Sequence, residues 1–130
     1  MHKTLQPVAW PRPKGYANGI AASGSQTIYT GGLVGWDAQG RFPGRDFVKQ
    51  VRATLENIVA VLREADAGPE HLVRMTWYIT DKQAYQDNLA GIGAAYREVI
   101  GRHFPAMAVV QVVALMEADA MVEIEATAVK

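Results

Sequence analysis

Two stretches of the chain repeat apolar residues at helical spacing. In the first, Phe47, Val51, Leu55, Ile58, Val59 and Leu62 fall on one stripe; Asp46 precedes them as an N-cap and Gly68-Pro69 is the stop. In the second, the stripe is Tyr85, Leu89, Ile92, Tyr96 and Ile100. Thr80 and Gln83 stand ahead of it at capping-box spacing, and Gly101 ends it. Between the two, residues 72–80 (LVRMTWYIT) alternate, which puts Val73, Met75, Trp77 and Ile79 on one face of a strand. The first third reads as short strands at 19–24 and 27–36, closed by the turn residues DAQG at 37–40. Glycines 31, 32 and 35 within the second strand mark a bulge or a close backbone approach. Strands over 106–115 and 121–129 finish the chain, and the short acidic MEADA between them predicts a hairpin.

Strands, helix, strand, helix, strands is the order of an α+β sandwich: one domain over residues 1–130, with two helices on one face of a mixed, mostly antiparallel sheet. That layout leaves a burial problem. The strand 106–115 is apolar on both faces, with Ala106, Ala108, Val110 and Val112 at even positions and Met107, Val109, Gln111 and Val113 at odd ones. Two helices cover one face only. With no further chain to cover the other, a second copy is expected there, and the protein is expected to be a homo-oligomer.

Composition narrows the function classes. Thirteen basic residues balance thirteen acidic ones, so there is no electrostatic footing for nucleic acid or an anionic membrane. With no cysteine there is no disulfide, thiolate nucleophile or zinc-thiolate site. His2, His71 and His103 are scattered, and the glycines fit neither phosphate-loop pattern, so no metal and no cofactor is expected. The N-terminus MHKTLQPVAW has no apolar core of a secretory signal, and the longest apolar tract is too short to span a bilayer; a soluble cytoplasmic protein is predicted.

Chemistry gathers in GRHFPAMAVVQV, residues 101–112, where Arg102 and His103 stand at the entrance of an apolar strand with Met107 at its mouth. On the last strand Val122, Ile124, Ala126 and Ala128 point one way, and Glu123, Glu125 and Thr127 the other. A hairpin through 116–120 brings Met107, Val109 and Gln111 onto the face of Glu123. Over nearly its whole length the chain resembles the Rid/YjgF group, the reactive intermediate deaminases also labelled L-PSP endoribonuclease-like. The resemblance is carried by GYANGI (15–20), IYTGGLVGWDAQG (28–40), TLENIVAVLREADAG (54–68), VRMTWYITD (73–81), FPAM (104–107) and VEIEATAVK (122–130).

This resemblance implies a chorismate-mutase-like fold, a homotrimer, and clefts between subunits that hydrolyse amino-acid-derived enamines or imines to ammonia and a 2-oxo acid. It also implies roles: Tyr16 as a cleft tyrosine, Thr30-Gly31 as a segment of backbone donors, and Glu123 as the residue that holds the attacking water. The family's PAR motif, whose arginine grips the substrate carboxylate, reads Pro105-Ala106-Met107 here. A thioether makes no such pair. Met107 is then an apolar cleft wall, and Arg102 or His103 is the candidate replacement cation. The family's cleft asparagine is not carried onto Asn88. The expected function is a small-metabolite hydrolase or deaminase. The alternatives are a trimer that binds a small molecule without turning it over and, against the neutral charge, an endoribonuclease or translation inhibitor.

Overall fold

The structure is a computed structural model that describes residues 2–130. A four-stranded sheet runs in the order β3 (Thr27–Tyr29), β6 (Val122–Val129), β4 (Leu72–Ile79), β5 (Ala106–Gln111). The β4–β5 pair is parallel and the other pairs are antiparallel, so the sheet is mixed and mostly antiparallel as expected. Against one face pack α1 (Phe47–Arg63) and the pair α2 (Lys82–Asp87) and α3 (Leu89–Val99). Separate from this sheet, β1 (Lys3–Leu5) pairs with β2 (Gly19–Ala21). The strand read at 19–24 therefore belongs to a second, two-stranded ladder, whose other member the sequence pattern did not suggest.

The α1 helix forms where the stripe places it. The Asp46 carboxylate accepts from the Lys49 N–H at 3.0 Å, and Phe47, Val51, Leu55, Ile58, Val59 and Leu62 are all buried. They meet Met75, Trp77, Ile79, Val122, Ile124, Ala126 and Ala128 from the sheet in one apolar cluster. Gly35 is a close approach, not a bulge: a Cβ there would lie 2.7 Å from the Gln50 carbonyl oxygen, so only glycine lets the loop lie on α1.

The second helix differs from its prediction twice. Its cap is Asp81, which accepts from Gln83 N at 2.9 Å and Ala84 N at 3.3 Å, because Thr80 is still engaged with β6 through a bond from its N–H to the Met121 carbonyl. It also breaks at Asn88 (φ −121°, ψ 22°), whose Nδ2 turns back to donate to the Ala84 carbonyl.

The expected hairpin is absent. Because β4 lies between β5 and β6, the 112–121 segment crosses over an intervening strand. Register then settles the faces. Met107 and Val109 sit opposite Met75 and Trp77, which sit opposite Ala126 and Ile124, all on the helix-covered face. Glu123, Glu125 and Thr127 sit opposite Tyr78, Thr76 and Arg74, and these opposite Val110, Ala108 and Ala106, on the uncovered face. Met107 and Glu123 therefore lie on opposite sides of the sheet, and Gln111 instead accepts from the Lys82 N–H at 2.7 Å.

Candidate functional site

On the uncovered face, Glu123 lies in a cleft of about 410 Å³ with Gly32, Tyr78, Glu125, Val112 and Met116. Gly32 makes the room: a Cβ there would fall 2.3 Å from Glu123 Oε2 and 2.8 Å from its carboxyl carbon. Among the described residues Glu123 has no ion-pair partner and accepts no hydrogen bond. Its neighbour Glu125 is committed, because the Tyr78 hydroxyl donates to Glu125 Oε1. That hydrogen bond to the carboxylate raises the Tyr78 phenol above its ordinary value, and burial adds to the effect.

The Thr30–Gly31 segment does two jobs. Thr30 is buried and clamps β3 to β6: its N–H donates to the Ala126 carbonyl, and its Oγ1 accepts from the Ala126 N–H at 2.9 Å while donating to the Gly31 carbonyl at 2.8 Å. Its side chain is thus used in the scaffold. Gly31 and Gly32 are exposed, and among the described residues neither N–H donates a hydrogen bond. A carboxylate with an open side and two free backbone donors next to it can hold a water and a polar ligand atom together.

On the helix-covered face, a cavity of about 720 Å³ opens between α2, α3 and the β5 edge. Met107 and Tyr16 both line it, along with Trp77, Tyr85, Phe104 and Val109. Tyr16 is brought to the edge by the Ala17 N–H donating to the Pro105 carbonyl at 3.0 Å, which pairs Ala17 alongside Ala106. The 101–104 loop is fixed from α3: the Tyr96 hydroxyl donates to the His103 carbonyl at 2.5 Å, and the Tyr96 ring stacks on Phe104 at 5.7 Å. Burial raises the Tyr85 and Tyr96 phenols, the mark of a cavity wall poor in water.

The two candidate cations before the strand fall outside this cavity. Arg102 lies on the far side of Tyr16 and Phe104, in a shallow groove with Arg12 and Thr4. The His103 side chain is exposed, and among the described residues it makes no hydrogen bond. Two cations that the sequence reading passed over, Lys14 and Arg97, do line the cavity. Arg97 follows Tyr96 of the apolar stripe and Lys14 lies two residues before Tyr16, so proximity to the stripe was the available signal.

The seven candidate positions thus divide. Tyr16 and Met107 belong to the helix-side cavity, Glu123 and Gly31 to the open face, Thr30 is in the scaffold between strands, and Arg102 and His103 stand apart. Glu123 and the Tyr16 segment are also three strand positions apart across the sheet, about 14 Å.

A family model described as Endoribonuclease L-PSP matches residues 11–130. The Drosophila melanogaster RutC family protein UK114 is 32% identical over 110 residues, covering 83% of this chain and 75% of that protein. The Synechocystis RutC family protein slr0709 is 33% identical, covering 98% and 95%. Among solved structures, the Rid family protein YyfB from Yersinia pestis superposes with a TM-score of 0.88 at 28% identity, covering 99% of this chain and 98% of that one. Escherichia coli TdcF, solved with bound serine, superposes at 0.69 with 29% identity, covering 98% of each.

Proposed function

The chain belongs to the Endoribonuclease L-PSP family, in which the Rid/YjgF proteins fall, and we propose that it hydrolyses a small imine or enamine in a cleft shared between copies of itself. One observation carries the reading. Glu123 is a half-buried carboxylate with no cation beside it, set against a glycine that leaves it room and next to two unused backbone N–H groups. A structural carboxylate in that position would be expected to hold an ion pair.

In the reaction Glu123 takes a proton from water as its oxygen attacks the C=N carbon. The proton passes to nitrogen to give a carbinolamine; its hydroxyl proton then moves through Glu123 to the nitrogen as the C=O bond forms and the C–N bond breaks, so ammonia leaves and the carbonyl compound remains. The Gly31 and Gly32 N–H groups hold the polar atoms at the reacting carbon during attack. Serine bound to TdcF supports an amino-acid-sized ligand for this fold.

Sharing of the cleft is supported by the division of the site. Tyr16 and Met107 of one copy and Glu123 and Gly31 of the same copy face away from each other, so a single cleft containing all four draws on two copies. The uncovered sheet face, with Ala106, Ala108 and Val110, and the exposed apolar residues Val113 and Met116 beyond β5 give a second copy something to cover. A homotrimer closes such a contact into a ring.

Subunit mixing is the test. Glu123→Gln removes one half of the cleft, and Met107→Trp fills the cavity of the other half. Each variant alone is expected to be inactive in ammonia release from freshly generated 2-imino acids. Oligomers assembled from an equal mixture should regain turnover in about one cleft in four. No recovery on mixing would sink the shared cleft. No turnover by the wild-type protein on any imine would sink the enzymatic reading and leave a trimer that binds without turnover, which the Met107 replacement favours.

Gly32→Ala gives a second check. Its methyl group would fall on the Glu123 carboxylate, the free end of a flexible side chain, so the carboxylate moves and the fold holds. Turnover should drop at least about tenfold, with unfolding free energy changed by less than about 1 kcal/mol. Unchanged turnover in the same assay would show that the carboxylate's position is immaterial.

A further inference from the structure

Met107 cannot grip a carboxylate, yet the helix-side cavity that it lines has two cations of its own. Arg97 and Lys14 both face it, and among the described residues neither is in an ion pair; no Asp or Glu lines the cavity. The Arg97 guanidinium lies back along α3 over Gly93, itself part of the wall: a Cβ at Gly93 would lie 3.3 Å from Arg97 Nη1. Any larger residue at 93 would crowd the guanidinium out of this position. The rest of the wall is apolar and aromatic, and Leu89 is left 57% exposed at its rim with nothing packed over it.

A volume of about 720 Å³ is far more than a serine-sized ligand needs. We propose that the cavity selects an amphipathic carboxylate, namely a 2-imino acid and the matching 2-oxo acid with an aromatic or large branched side chain. Its apolar group packs among Tyr85, Leu89, Phe104 and Val109, and its carboxylate sits between Arg97 and Lys14. These two cations thereby take over the grip that the family pattern assigns to position 107, with a planar fork and a point charge at the solvent-exposed rim of the apolar wall. For turnover this inference rests on the shared-cleft reading; for binding it does not.

Calorimetric titration of the intact protein with phenylpyruvate and with pyruvate tests it. Phenylpyruvate should bind at least about tenfold more tightly than pyruvate, since only its ring reaches the apolar wall. The double variant Arg97→Gln, Lys14→Gln should bind phenylpyruvate at least about tenfold more weakly, since both residues are exposed and their loss leaves the fold alone. Equal affinity for the two acids, or full affinity in the double variant, overturns the inference. Phenylpyruvate bound as expected, with no hydrolysis of any imine, upholds it and removes the enzymatic reading. Hydrolysis of small imines with no preference for phenylpyruvate does the reverse.

Discussion

Glu123→Gln is expected to slow hydrolysis of a 2-imino acid by about 10²–10⁴-fold, the usual contribution of a positioned general base, with folding unaffected. The amide keeps the size of the carboxylate and can still hold a water, but it cannot accept that water's proton. The side chain is half-buried on the open face and makes no ion pair or hydrogen bond among the described residues, so removing its charge breaks nothing. Glu125→Gln is the matched control: that carboxylate is held by the Tyr78 hydroxyl, and its loss should cost turnover far less. The measurement is ammonia release at saturating substrate, with circular dichroism and unfolding curves for both variants. Full activity in Glu123→Gln would remove this residue from the mechanism. Equal loss in the two variants would point to the charge of the open face as a whole.

What the chain revealed of itself follows the range of the interactions involved. The α1 stripe was legible because every apolar residue in it is buried by neighbours at helical spacing, a local pattern with one solution. The second stripe was legible as helix but not as cavity. Tyr85, Ile92 and Tyr96 have the spacing of core residues, and only the space left around Leu89, Phe104 and Met107 shows that they line a pocket as well. The faces of the last two strands were misread for a topological reason. Residues 106–111 and 122–129 look like the arms of a hairpin, and nothing local in them records that β4, laid down some thirty residues earlier, lies between them. One intervening strand reassigned Met107 from Glu123's side to the opposite one. Thus the family residues were recognisable singly, while their division between two faces was not. The same holds for Arg97 and Lys14, which are distant in sequence and meet only because α3 and the Tyr16 segment flank the same edge of β5.

Gln50 is the residue whose loss is expected to cost the most stability, and composition gives no hint of it. It is fully buried within the apolar stripe of α1, where a polar side chain would ordinarily be a defect. Here every polar atom of the amide is used. Nε2 donates to the Gly44 carbonyl at 2.8 Å and the Asp119 carbonyl at 2.9 Å, and Oε1 accepts from the Met121 N–H at 2.8 Å. One side chain thus ties the loop before α1 to the loop that starts β6. Gln50→Leu keeps the volume and strands three backbone groups, each costing about 1–3 kcal/mol if it stays dry. With partial access of water, the expected loss is about 3–4 kcal/mol, or about 11–15 °C in melting temperature for a domain of this size. Urea unfolding of wild type and variant reads it directly, and a loss below about 0.5 kcal/mol would mean that water replaces the amide without penalty. Met121 is two residues before Glu123, so loosening this tie also frees the start of the strand that aims the carboxylate. Turnover of Gln50→Leu should therefore fall at temperatures where the variant is still folded, and an unchanged rate there would separate the loop's anchoring from the chemistry at Glu123.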